Sequence, residues 1–181
     1  MFVLDDCGIT ITAMSQLQPP DTHHLSAAIG WIELGNHREA AADLGKIPTA
    51  RQEHPDVLEV RWEICSADQD WETGLHVAET LLHVAPERYS GWLFRAYALR
   101  RVKSGGPEKA REALRPACEK FPKVSIIPFN LACYAAQFGR LEEAWEWLHK
   151  AMEAEGDVNR IKHLALADSD LKPLWERVRE L

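Results

Sequence analysis

Four short segments recur along the chain at nearly equal intervals. REAAADLGKI, ETGLHVAETLL, EKAREALRPA and EEAWEWLHKA place a small residue at Ala40, Gly74, Ala110 and Ala144, separated by 34, 36 and 34 residues. From each small residue an apolar or small one follows at four and at seven: Leu44 and Ile47, Ala78 and Leu81, Leu114 and Ala117, Leu148 and Ala151. Such spacing keeps the residues on one helical face. Ahead of each segment runs another apolar stripe, through His24, Ala28 and Trp31, through Leu58, Trp62 and Cys65, through Trp92, Ala96 and Leu99, and through Leu131, Ala135 and Phe138. Short breaks at Gly35-Asn36, Asp68 to Asp70, Ser104 to Pro107 and Gly139-Arg140 alternate with longer ones near Pro48 to Pro55, Pro86, Pro122 and Gly156. Alternating short and long breaks mean helices in pairs. The expected class is all-α, with four antiparallel pairs.

Close packing explains why the repeated position is small. A residue such as Ala144 lets the second helix of a pair approach the first, and Gly139 is expected to take positive φ in the turn between them. Each pair leaves apolar surface bare until a neighbour stacks on it. Trp31, Trp62, Trp71, Trp145 and Trp147 are therefore assigned to core and inter-repeat packing. Pro86 and Pro122 end two of the second helices, and Pro48 is expected to shorten the first.

With a period near 34 and a small residue followed by a proline twelve positions later, residues 21 to 156 resemble the tetratricopeptide repeat. The stretch from Asn130 to Ala154 is the best copy. The first copy lacks the terminal proline, and the third carries two extra residues around Ser104 to Gly106. The resemblance implies a right-handed superhelix, or α-solenoid, whose first helices line a concave groove that binds a peptide or a helix of another protein. Residues 157 to 181 then form a C-terminal cap. Within them Ser169 or Asp170 is expected to cap a last helix with Pro173 in its first turn, and Leu171, Leu174, Trp175 and Val178 to form its apolar face. The string ALADSDLKPLW is similar to the closing segment of many bacterial proteins of this kind.

Groove-facing positions on the four first helices are expected at Thr22, Leu25, Ser26, Ile29 and Glu33, at Asp56, Glu59, Val60 and Glu63, at Ser90, Leu93, Phe94, Tyr97, Arg100 and Arg101, and at Ile126, Phe129, Asn130, Cys133 and Gln137. Charge changes sign along them. Residues 55 to 88 hold eight acidic and two basic side chains, net -6, and residues 89 to 122 hold three acidic and eight basic, net +5. Aromatic and arginine side chains concentrate interface energy, and arginine forks suit carboxylates. Phe94, Tyr97, Arg100, Arg101, Phe129, Asn130 and Cys133 are thus the expected partner-binding set, for a protein or peptide with acidic and apolar residues. The alternative is that Phe94 and Phe129 pack between neighbouring helices while the arginines pair with solvent or with the acids of repeat two. A second alternative is a homo-oligomer in which acidic repeat two meets basic repeat three of another copy. One subset of the family grips C-terminal carboxylates with lysines and asparagines on three first helices. Here only Asn130 matches, while Leu25, Ile29, Glu59 and Val60 depart, which argues against that use.

Chemistry beyond binding finds little support. The chain has no nucleophile elbow, no glycine-rich phosphate loop and no H-E-x-x-H. His23 and His24 adjoin at a helix start, and His76 and His83 lie two turns apart rather than the one turn that suits a metal. Asp168 and Asp170 read as helix-start residues rather than a catalytic pair. No enzyme, cofactor or metal is expected. The net charge of -7 argues against general nucleic-acid binding. No apolar run reaches the roughly 20 residues of a membrane span, and Asp5 and Asp6 stand where a signal peptide is apolar, so a cytoplasmic protein is expected. Cys7, Cys65, Cys118 and Cys133 form no C-x-x-C pair and read as reduced thiols. Residues 1 to 20 form a separate leader, with an apolar, β-branched start before Pro19-Pro20. It either docks on the solenoid, in its own groove or a neighbour's, or stays partly ordered.

Overall fold

The computed structural model describes residues 16–181, and the first part of the leader lies outside them. The described residues are helical, with no strand among them. Four pairs follow one another: α1 (Asp21–Glu33) with α2 (His37–Leu44), α3 (Pro55–Ala67) with α4 (Trp71–Val84), α5 (Tyr89–Leu99) with α6 (Pro107–Lys120), and α7 (Ile126–Gln137) with α8 (Leu141–Glu155). Beyond them lie α9 (Val158–Ala167), a 3-10 turn (Ser169–Leu174) and the short α10 (Trp175–Arg179).

Local chemistry sets the ends of these helices. Asn36 and Asp70 occupy equivalent positions and accept hydrogen bonds from the amides of Glu39 and Thr73, satisfying N–H groups that the first turn leaves free. Three tight turns repeat one solution, with φ of 74° at Gly35, 57° at Gln69 and 69° at Gly139. Gln69 shows that the position tolerates a side chain where glycine is absent. The third turn is longer. Pro107 opens α6 there, and Gly105 lies so close to α5 that an added Cβ would fall 1.8 Å from the Leu99 carbonyl oxygen. The first of the second helices is short, as expected, but it ends at Leu44, ahead of Pro48, with Gly45 as its C-cap.

The repeated positions are the core. Ala40, Ala110 and Ala144 are fully buried, and none of the eight apolar residues that follow the small residues at four and seven is more than 2% exposed. Gly74 is buried against Trp62 and Cys65. Apolar clusters straddle neighbouring pairs: Ala40 and Leu44 meet Val57 and Val60, and Leu114 and Ala117 meet Ile127 and Leu131. Stacking buries what each pair alone would expose.

Two expectations need correction. Phe138 is not part of the core stripe of α7: it is the C-cap, 39% exposed, with the Arg140 guanidinium over its ring, and Tyr134 is buried in its place. The five tryptophans assigned to packing do pack: Trp62 is buried, Trp31, Trp145 and Trp147 are half-buried against the apolar clusters, and Trp71 is half-buried against Tyr97. The last helix is divided, because Pro173 has no amide hydrogen to donate and the segment from Ser169 winds as a 3-10 turn before α10 starts. Its N-cap is Asp168, which accepts from the Asp170 amide, rather than Ser169 or Asp170. Leu171, Leu174 and Val178 are buried as expected, and the Trp175 indole N–H donates to the Ala165 carbonyl.

Candidate functional site

The first helices of three successive pairs surround an open cavity of about 510 Å³. Helix α1 supplies Ile29, Ile32 and Glu33, α3 supplies Glu59, Val60 and Glu63, and α5 with its entry turn supplies Glu87, Arg88, Tyr89, Ser90 and Phe94. Seven of these stand among the groove positions expected from the sequence. The other four escaped it: Ile32 is one helical step off the chosen face, Glu87 and Arg88 belong to a turn that curls onto the face, and Tyr89 is the first residue of α5. Pro86, which ends α4, was the available sign that the chain reverses there.

Apolar floor and acidic wall adjoin in this cavity. Ile29 is 42% exposed, while Val60 and Phe94 hold their inner sides against the core. Arg88 is the one cation on the wall among the described residues, and its guanidinium is held by Asp56 at 2.6 Å and Glu59 at 3.1 Å. The Ser90 hydroxyl also donates to Glu59. Glu33, Glu63 and Glu87 have no ion-pair partner among the described residues. Loss of water pushes the Glu63 carboxyl above its usual range.

The seven expected partner-binding residues divide into three groups. Phe94, Tyr97 and Arg101 come together in an aromatic ladder between the second and third pairs: the Phe94 ring stacks on Trp62 at 4.0 Å, and Tyr97 meets Trp62 and Trp71 edge-on or tilted at 5.8 and 5.7 Å. Arg101 lies 3.5 Å over the Tyr97 ring and 4.9 Å from that of Trp71. Arg100 instead reaches the cap, 2.8 Å from Asp170. Phe129 and Cys133 do not face a groove at all. They are 6% and 2% exposed, in a cluster with Leu171, Leu174 and Val178. The Cys133 thiol donates to Asp168, and burial, with Asp168 beside it, holds the thiol protonated. Asn130, which remains partly exposed, donates to the Ile126 carbonyl of its own helix. The cap therefore covers the inner side of the fourth pair, and the arginines chosen from the sequence already have partners.

Among the described residues no group of three or more His, Cys, Asp and Glu side chains converges as a metal site, and no helix is long and apolar enough to cross a membrane. Cys65, Cys118 and Cys133 are free thiols.

Comparison with known proteins agrees with the stacked pairs. A family model described as Iml2/Tetratricopeptide repeat protein 39 matches residues 57–175. Among solved structures, MamA (residues 41 to the end) from Desulfovibrio magneticus RS-1 superposes with a TM-score of 0.66 at 16% identity, covering 92% of this chain and 97% of that one. TTC0263, a thermophilic tetratricopeptide repeat protein of Thermus thermophilus, gives 0.65 at 16% identity, covering 89% of this chain and 100% of that one. At such identities the likeness is one of fold. No curated protein matches the chain in sequence.

Proposed function

The chain belongs to the Iml2/Tetratricopeptide repeat protein 39 family, and from that premise we propose that it is a non-catalytic scaffold holding a segment of another protein against the first helices of pairs one to three. One observation carries the reading: an open cavity that three successive first helices build jointly, with an exposed isoleucine beside polar side chains. That composition, an apolar centre with a polar rim, is what recognition of a peptide or helix uses. No metal cluster accompanies it among the described residues.

Site-specific crosslinking tests this. A benzophenone at Ile29, inside the cavity, is expected to give adducts with a partner protein, whereas one at Glu79, exposed on α4, is not. Equal adducts from both positions, or adducts from Glu79 alone, would overturn the reading.

A second reading rests on charge outside the cavity. Asp68, Asp70, Glu72 and Glu79 stand exposed on and before α4, and Lys103, Lys109, Arg115 and Lys120 stand exposed on and before α6. Copies of the chain could associate by matching these two surfaces. Arg88, Arg100, Arg101 and Arg111 are excluded from that contact because they are engaged within the chain. Sedimentation at low and high salt decides it, since an assembly held by exposed charges dissociates as salt rises, and a salt-insensitive monomer refutes it.

A further inference from the structure

Resting on the cavity reading above, the chemistry of the occupant follows from the charges that its wall leaves unanswered. Four carboxylates, Glu33, Glu59, Glu63 and Glu87, face the cavity together with one guanidinium, Arg88. Arg88 is engaged by Asp56 and Glu59. That leaves Glu33, Glu63 and Glu87, from three different elements, without a cation among the described residues. Between them lies the floor of Ile29, Val60 and Phe94. An acidic occupant would face three exposed like charges across an open cavity, whereas a basic one would complement them.

We infer that the cavity takes a basic amphipathic segment of a partner protein, its aliphatic side chains on Ile29, Val60 and Phe94 and its lysines or arginines at Glu33, Glu63 and Glu87. This reverses the charge expected from Arg100 and Arg101, for the reason that those two arginines are engaged by Asp170 and Tyr97. It also disfavours the chain's own start as occupant. Residues 1 to 15, MFVLDDCGITITAMS, contain Asp5 and Asp6 and no lysine or arginine.

The test uses the full chain and two fluorescein-labelled amphipathic peptides with the same leucine pattern, one with lysines and one with glutamates at the polar positions. Fluorescence anisotropy is expected to show the lysine peptide binding about tenfold tighter or more, as three partly exposed charge pairs provide. That preference should weaken in high salt. The combined E33Q, E63Q and E87Q variant should lose about tenfold for the lysine peptide, and Ile29→Gln should weaken it as well. Equal or tighter binding of the glutamate peptide, still weakened by Ile29→Gln, overturns the basic occupant and leaves the cavity as the binding place. Lysine-peptide binding that neither variant alters overturns both. No binding of either peptide overturns the inference, and binding that emerges only after deletion of residues 1 to 15 overturns it in favour of the chain's own N-terminus. Self-association of the full chain that the triple variant abolishes overturns it in favour of a second copy.

Discussion

Replacing Gly74 by alanine isolates the close approach on which the whole repeat depends. The other three equivalent positions hold alanine, buried completely. At Gly74, inside α4, a Cβ would lie 3.5 Å from the Cys65 Cβ, 3.7 Å from the Trp62 indole nitrogen and 3.9 Å from its Cδ1. Those are ordinary van der Waals distances. The indole N–H has no partner among the described residues, so the methyl displaces no protein hydrogen bond. Glycine costs a helix interior about 1 kcal/mol relative to alanine, and a newly buried methyl adds up to about 0.8 kcal/mol. A net gain of about 1–1.5 kcal/mol is expected, which for a chain of this length raises the melting temperature by roughly 2–5 °C. Circular dichroism at 222 nm during heating and urea titration measures it, and the urea slope should not change. Gly105→Ala is the counterpart, because its Cβ would meet the Leu99 carbonyl oxygen at 1.8 Å and Val102 at 2.8 Å. It should lower stability by about 2 kcal/mol, within the cost of overpacking. A melting temperature for Gly74→Ala at or below that of the parent would refute the reasoning, since it would show that α3 and α4 have no room for the methyl.

Three further outcomes are expected. Pro116 lies within α6, exposed, where it cannot donate to the preceding turn, so Pro116→Ala should stabilise by about 2–3 kcal/mol in urea titration. The Glu63 carboxyl is raised by loss of water, so its ionisation opposes folding: the opposition is absent below the ordinary glutamate range, grows as pH rises from that range, and is complete once pH passes the elevated folded value. Glu63→Gln should therefore raise the melting temperature at pH 7, and the gain should vanish well below pH 4. Glu143 has the opposite sign. Burial raises it, but hydrogen bonds from Arg111 and Trp147 outweigh that and hold it low. Its contribution is complete above the ordinary glutamate range and is lost as pH falls through the depressed value. Arg111→Met, which breaks this tie between α6 and α8, should cost about 1–2 kcal/mol at pH 7 and progressively less in acid melts.

How much of this was legible in the sequence depended on the range of the interaction. The small residues and their followers at four and seven could be read because local periodicity decides which face of a helix is buried, and all of them are. Gly139 could be read because a three-residue turn demands its φ. Phe138 could not: it continues the stripe on paper, but the helix ends one residue earlier and the ring leaves the face. The candidate site was legible as a face and not as a set of residues. Ile29, Glu59, Val60, Glu63 and Phe94 follow from helical phase, whereas the removal of Phe129 and Cys133 depends on a cap some 40 residues downstream folding back onto α7. Arg100 presented the same difficulty, because its partner is Asp170 and no local pattern announces a pairing across that separation.

That returning cap sets a length. Four pairs stack among the described residues, but the Phe129 and Cys133 face of the fourth is occupied by the 3-10 turn, so on the proposed reading three first helices are open to a visitor. Helices pack at roughly 9 Å, and three in a row span about 18 Å between outer axes. An extended peptide advances about 3.3 Å per residue, so roughly six residues suffice to cross all three. A ligand that continued past them would meet the cap, at the partly exposed Asp170, rather than a fourth helix. On the proposed reading, the cap limits the segment held by the first helices to about that length.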